Sequence, residues 1–150
     1  MENITKNDLE NSARLFAKNY TLDYIKRIIV EAQSALHDLA FDQFDYDWKS
    51  GKSYHEQYTE HDKKIRKAWN DSKEAIVNAY DDLTEIKGTL YSADCCEEAT
   101  DEEIDDYIKI AEEAEKLFNL IDDALYYLDK AESAYKELLD NFEELDYLTR

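Results

Sequence analysis

The stretch Thr100–Leu145, TDEEIDDYIKIAEEAEKLFNLIDDALYYLDKAESAYKELLDNFEEL, sets the architecture. Ile104, Tyr107, Ala111, Ala114, Phe118, Ile121, Leu125 and Leu128 recur at alternating steps of three and four, the spacing of a coiled-coil seam. After Leu128 the next step is another three, to Ala131, and Tyr135, Leu138, Phe142 and Leu145 resume the alternation. Such a stammer overwinds a supercoil locally without ending the helix. Thr100-x-x-Glu103 is a capping box, with Asp101, Glu102 and Glu103 facing the positive end of the helix dipole. The expectation is one helix of about 45 residues, ~70 Å long at ~1.5 Å per residue.

A seam of that length must be covered. Working backwards, Ser53-x-x-Glu56 opens a second long helix through Tyr58, Ile65, Trp69, Ile76, Tyr80 and Leu83, with Gly88 as its C-terminal cap. Residues 89–99 form the connection, which permits an antiparallel hairpin. Two shorter helices precede it. One starts with Asn7 as N-cap and carries Leu9, Ala13 and Phe16. The other starts at Thr21 and carries Leu22, Ile25, Ile28, Ala32, Leu36 and Leu39. Phe41–Trp48 alternates aromatic and acid, but Phe41, Phe44 and Trp48 also fall at helical spacing. The segment reads as the frayed end of the second helix, running into a loop at 49–52. With only 2 Gly and no Pro in 150 residues, the fold class is all-α. The expected form is one domain over 1–150, an elongated bundle of about four helices dominated by a long antiparallel coiled-coil-like hairpin. Its parts are two shorter helices in 1–50, a long helix over 53–88 and a long acidic helix over 100–148. The first two helices would pack at one end of the hairpin or along one side of it. Homodimerisation through the long seam is the competing way to bury it.

The charge is distributed as unevenly as the helices. Residues 1–75 carry 12 bases against 14 acids, and residues 76–150 carry 6 bases against 23, so nearly all of the net −19 lies in one half. A field of that sign attracts basic partners and repels nucleic acid and anionic membranes. Off the seam, the last helix presents Asp101, Glu102, Asp105, Asp106, Glu112, Glu113, Asp122, Asp123, Asp129, Glu137, Asp140, Glu143 and Glu144. Asp81, Asp82 and Glu85 add a second row from the preceding helix. Between Asp101 and Asp146 there are 17 acids and 4 bases. Their net charge spread over ~70 Å is about one per ~5 Å, against ~3.4 Å along a single DNA strand. Like charges at i, i+4 destabilise a helix by a few tenths of a kcal/mol each, so the accumulation points to a use beyond solubility. The plain alternative is a solvated acidic face on a scaffold or adaptor.

In size, charge, helicity, Tyr content and the doublets Asp81-Asp82, Asp105-Asp106, Glu112-Glu113, Asp122-Asp123 and Glu143-Glu144, the chain resembles small acidic helical DNA-mimic proteins of phages and mobile elements. These are the anti-restriction and anti-CRISPR type. The resemblance covers chiefly residues 76–150, and the near-neutral first half departs from mimics that are acidic throughout. It implies a stoichiometric inhibitor that occupies the nucleic-acid channel of a basic target, a nuclease or Cas effector, in the host cytoplasm. An immunity protein against a basic nuclease toxin is a close relative of that reading. The chief alternative is an acidic scaffold or adaptor that binds a partner through apolar surface.

The smaller signals are few. Phe44, Tyr46, Trp48, Tyr126 and Tyr127 are secondary contact candidates; the plain reading is the buried end of the second helix for the first three and edge-of-core packing for Tyr126 and Tyr127. Cys95 and Cys96 are adjacent, and neighbouring acids should raise their thiol pKa values and slow their chemistry. His37, His55 and His61 lack the i, i+3 or i, i+4 spacing that helical metal sites use, so no metal and no cofactor is expected. No G-x-S-x-G, Walker or G-x-G-x-x-G motif occurs, because the two glycines lie 37 residues apart, and the chain is not read as an enzyme. The longest aliphatic run, Ile28–Val30, is far below the ~20 residues of a membrane span, and the polar MENITKND start resembles no secretory signal. The chain thus reads as cytoplasmic and reduced.

Overall fold

The computed structural model describes residues 4–41 and 44–149, with side chains described to residue 137. Four α-helices follow in order: α1 (Lys6–Asn19), α2 (Leu22–Phe41), α3 (Tyr54–Tyr91) and α4 (Asp101–Thr149). A short 3-10 turn over Ser92–Cys95 joins the last two. No strand occurs among the described residues.

The hairpin is antiparallel, as pairs across it show. Trp69 bonds to Glu132, Lys73 pairs with Asp129, Tyr80 packs at a tilt against Phe118 and Tyr91 bonds to Glu115. As the α3 number rises, the α4 number falls. Their interface is the most extensive in the molecule. Ile76, Leu83, Ile86 and Leu90 from α3 meet Ala111, Ala114, Ile121 and Leu128 from α4, all buried. Each fully buried Leu or Ile stabilises by about 1.5–3 kcal/mol.

α1 and α2 lie in series along one side of this hairpin. Lys6 meets Glu103 at its closed end, Tyr20 reaches Asp82, and the far half of α2 faces residues 120–135 of α4. Leu9, Phe16, Ile25, Ile28, Ala32 and Leu36 bury the shared face. The break falls where Tyr20 leaves helical geometry and the Thr21 hydroxyl accepts the Tyr24 N–H at 3.1 Å, restarting the chain as α2. The bundle closes over a seam that sequence periodicity also assigns to α4, and the Thr100–Glu103 box forms in both directions.

Four expectations need correction. The first helix is capped by Thr5, not Asn7: Thr5 and Asp8 form a reciprocal box, which satisfies two free N–H groups where Asn7 would satisfy one. α3 does not stop at Gly88. It runs to Tyr91 because Leu90 is fully buried, and the Ser92 hydroxyl then donates to the Gly88 carbonyl. Residues 44–48 do not continue α2, whose helix ends at Phe41. Asp47 accepts the Lys49 N–H at 2.9 Å, and Gln57 of α3 holds the Asp47 N–H and the Asp47 and Lys52 carbonyls, fixing a turn instead. Gly51 completes it at φ +77°, where a side chain would be strained. Finally, Ala131 is exposed, so the stammer takes that position out of the seam. Leu138, Phe142 and Leu145 lie outside the described side chains.

Candidate functional site

The closed end of the hairpin gathers carboxylates for a local reason. The 3-10 turn buries Ala93 and Cys96, which turns Asp94, Cys95, Glu97 and Glu98 outward. Thr100 then caps α4, and the dipole favours acids in its first turn. Between Asp94 and Asp106 the chain has eight acids and no Lys or Arg. Two of them fasten α1: Glu98 accepts the Lys6 N–H, and Glu103 pairs with the Lys6 ammonium at 2.8 Å. The hydrogen bond from Lys6 holds the Glu103 carboxyl below the usual carboxylate range. Asp94, Glu97, Asp101, Glu102, Asp105 and Asp106 are exposed and, among the described residues, form no ion pair.

Two turns further on, Glu112 and Glu113 are also exposed. At ~100° per residue, Asp101, Asp105 and Glu112 fall in one row along α4, and Glu102, Asp106 and Glu113 in a second about 100° away. Those six carboxylates span about 18 Å, one per ~3 Å of axis. Lys109 lies on the same outward face, and subtracting it leaves one net charge per ~3.6 Å, close to the ~3.4 Å of a DNA strand. This end of α4 is denser than the helix taken whole.

The rest of the expected array divides. Asp122, Asp123 and Glu137 on α4, and Asp81 and Glu85 on α3, are exposed. Asp82 is half-buried and accepts the Tyr20 hydroxyl. Burial, and then the hydrogen bond to the Asp82 carboxylate, push that tyrosine well above its ordinary pKa. Asp129 pairs with Lys73 at 3.2 Å. Asp82 and Asp129 are thus engaged within the bundle. Asp140, Glu143 and Glu144 lie outside the described side chains. Three acids beside the seam serve the fold instead: Glu103, Glu115, which accepts the Tyr91 hydroxyl, and Glu132, which accepts the Trp69 N–H and pairs with Lys73 and Lys136. The acidic surface is therefore not a uniform rod. Its unpaired portion concentrates at the hairpin's closed end, while Lys73 of α3 sits beside residues 129–132.

The aromatic candidates also separate. Phe44 is half-buried, edge-on to Tyr54 and Tyr58 and tilted against His61, and so is a packing residue. Tyr46 stacks edge-on against Trp48 and donates its hydroxyl to the Lys52 carbonyl. Trp48 is 85% exposed, held in solvent by the turn that Gln57 fixes, and is not the buried end of α2. Tyr126 and Tyr127 are exposed and edge-on to each other, and Lys130 covers the Tyr126 ring. Tyr127 borders an open groove of about 1180 Å³ between α2 and α4. Periodicity did not suggest this groove: it assigns Leu128, Ala131 and Tyr135 of the α4 wall to the seam, and Ala124 and Ala134 between them are small residues that read as ordinary helix surface.

Cys95 is exposed and Cys96 buried, and the charge of Asp94 pushes the Cys95 thiol up, as its neighbours in the sequence suggest. No described helix is long and apolar enough to cross a membrane. Fold and surface together define an acid-tipped, all-α helical hairpin braced by two shorter helices. Compared with protein-family models, curated proteins and solved structures, the chain matches none of them.

Proposed function

We propose that this protein is a non-enzymatic blocker that mimics nucleic acid and occupies the channel of a basic nucleic-acid-binding protein, such as a host defence nuclease or Cas effector, in the cytoplasm. One observation carries the reading: the two rows Asp101/Asp105/Glu112 and Glu102/Asp106/Glu113, exposed on a rigid helix at nearly the axial charge spacing of a DNA strand. A channel built for phosphate places Lys and Arg at phosphate positions and recognises that charge without reading bases. A rigid carboxylate array meets those cations with little ordering to be done on binding. Asp94 and Glu97 extend it around the tip, and Asp81, Glu85, Asp122 and Asp123 supply flanking charge. An immunity protein that neutralises a basic nuclease toxin would use the same surface.

Capture from a host lysate on the immobilised protein tests this. The expected captives are nucleic-acid-binding proteins that elute with competitor duplex DNA and whose retention falls steeply between low and moderate salt. Captives that resist both DNA and salt would favour the adaptor reading, for which the exposed Trp48 and the α2–α4 groove are the supporting observations.

A further inference from the structure

The α2–α4 groove has a chemistry distinct from the acidic tip. Ile29, Leu36 and Phe41 of α2 face Ala124, Leu128 and Ala131 of α4 across it. Phe41 is 66% exposed and Tyr127, at the other lip, is 68% exposed. Large apolar side chains left in water beside an apolar floor mark a contact surface more often than an accident of packing. Among the described residues, the acids lining it are Asp38 and Asp123, both exposed, and no Lys or Arg lines it. On α4 the lining runs from Leu120 to Tyr135, about 22 Å along the axis, or about four helical turns.

We infer that this groove docks an amphipathic α-helix of a partner protein, about four turns long, whose apolar stripe is flanked by Lys or Arg. The length and the aliphatic floor suit a helix laid into a groove. The flanking cations follow from the rim: a helix seated on Ala124 and Ala131 brings its sides against Asp38 and Asp123, which have no cation of their own among the described residues. A second copy of this chain is a poorer occupant. It carries a net charge of −19, and groove-to-groove pairing would set Asp38 and Asp123 against their own counterparts. The docking goes beyond the blocking role and does not require it, because apolar burial persists at salt concentrations that weaken contacts at the tip.

The test uses fluorescence anisotropy at about 0.15 M salt, where exposed charges interact over only ~8 Å. The probe is a labelled synthetic amphipathic 15-residue peptide with Leu at seam positions and Lys beside them. A scrambled peptide of identical composition and a Glu-flanked version serve as controls. The seam peptide should bind at least tenfold more tightly than either control. Ala131→Trp, which fills the groove from an exposed position, should weaken it at least tenfold, as should Ala134→Trp, with circular dichroism unchanged in both. Neutralising Asp105, Asp106, Glu112 and Glu113 should leave peptide binding as in wild type, which separates this site from the acidic tip. Equal binding of the seam and scrambled peptides would overturn the inference. So would equal binding of the Glu-flanked peptide, or full binding by both Trp variants. A free protein that sediments as a dimer, and as a monomer after Ala131→Trp, would assign the groove to self-association instead.

Discussion

Gly88→Ala should stabilise this protein, and the sign of the effect reports where α3 ends. If Gly88 were a left-handed C-terminal cap, adding a Cβ would cost about 1–2 kcal/mol. In the structure it sits inside α3, three residues before Tyr91, at an exposed position without positive φ. A Cβ built there meets nothing within 4 Å. The substitution therefore removes the backbone entropy penalty of an interior helical glycine without a compensating clash, a gain of about 0.8–1 kcal/mol. For a chain of this size that raises the melting temperature by about 2–3 °C. Gly51→Ala is the internal control. Its space is equally open, but its φ of +77° is strained for any side chain, so it should lose about 1 kcal/mol. Urea denaturation of both variants beside wild type reads the two signs directly. Loss of stability in Gly88→Ala would refute the continuous α3 and return the helix end to the glycine.

Two further outcomes follow from the packing and the ion pairs. Ile121→Ala removes a fully buried seam residue and should cost about 2–5 kcal/mol in urea denaturation, whereas Val30→Ala, at a 57% exposed position, should fall within about 0.5 kcal/mol of wild type; equal effects would mean that the seam does not face α3. Lys6 depresses the Glu103 pKa on folding, so their pairing adds stability that is present above the unfolded carboxylate pKa and is lost as pH falls through the lower folded value. Wild type should therefore exceed Lys6→Met in stability at neutral pH, and the gap should narrow as pH falls below the ordinary carboxylate range. A gap that acidification leaves unchanged would mean that Lys6 acts through its stem and not its charge.

The long elements were legible because burial and periodicity coincide in them. The α4 seam from Ile104 to Leu128 and the Thr100–Glu103 box are local patterns whose tertiary partner merely agrees with them. What was not legible depends on distant residues. Gly88 reads as a stop until Leu90 finds a buried place beyond it. The 44–48 turn is dictated by Gln57, a residue ten positions away that no local motif marks. Likewise, the acids of α4 look equivalent in sequence. Only the fold assigns Asp129 to Lys73 and Asp82 to Tyr20 while leaving Asp105 and Asp106 exposed and, among the described residues, without an ion pair. The groove was hidden for a related reason: alanines mark an absence of volume, and an absence becomes a cleft only once α2 stands opposite.

In the proposed blocking role the position of the negative charge matters, not merely its amount. The direct measurement is the affinity, across a range of salt concentrations, for a captured nucleic-acid-binding protein after two matched sets of four neutralisations. One set is Asp105→Asn, Asp106→Asn, Glu112→Gln and Glu113→Gln at the tip. The other is Asp23→Asn, Asp45→Asn, Asp71→Asn and Glu74→Gln, all exposed elsewhere. The tip set should weaken binding at least tenfold and flatten the salt slope, and the distant set should stay within about twofold of wild type. Equal losses from the two sets would contradict the account, since any four charges would then serve as well as the ordered rows.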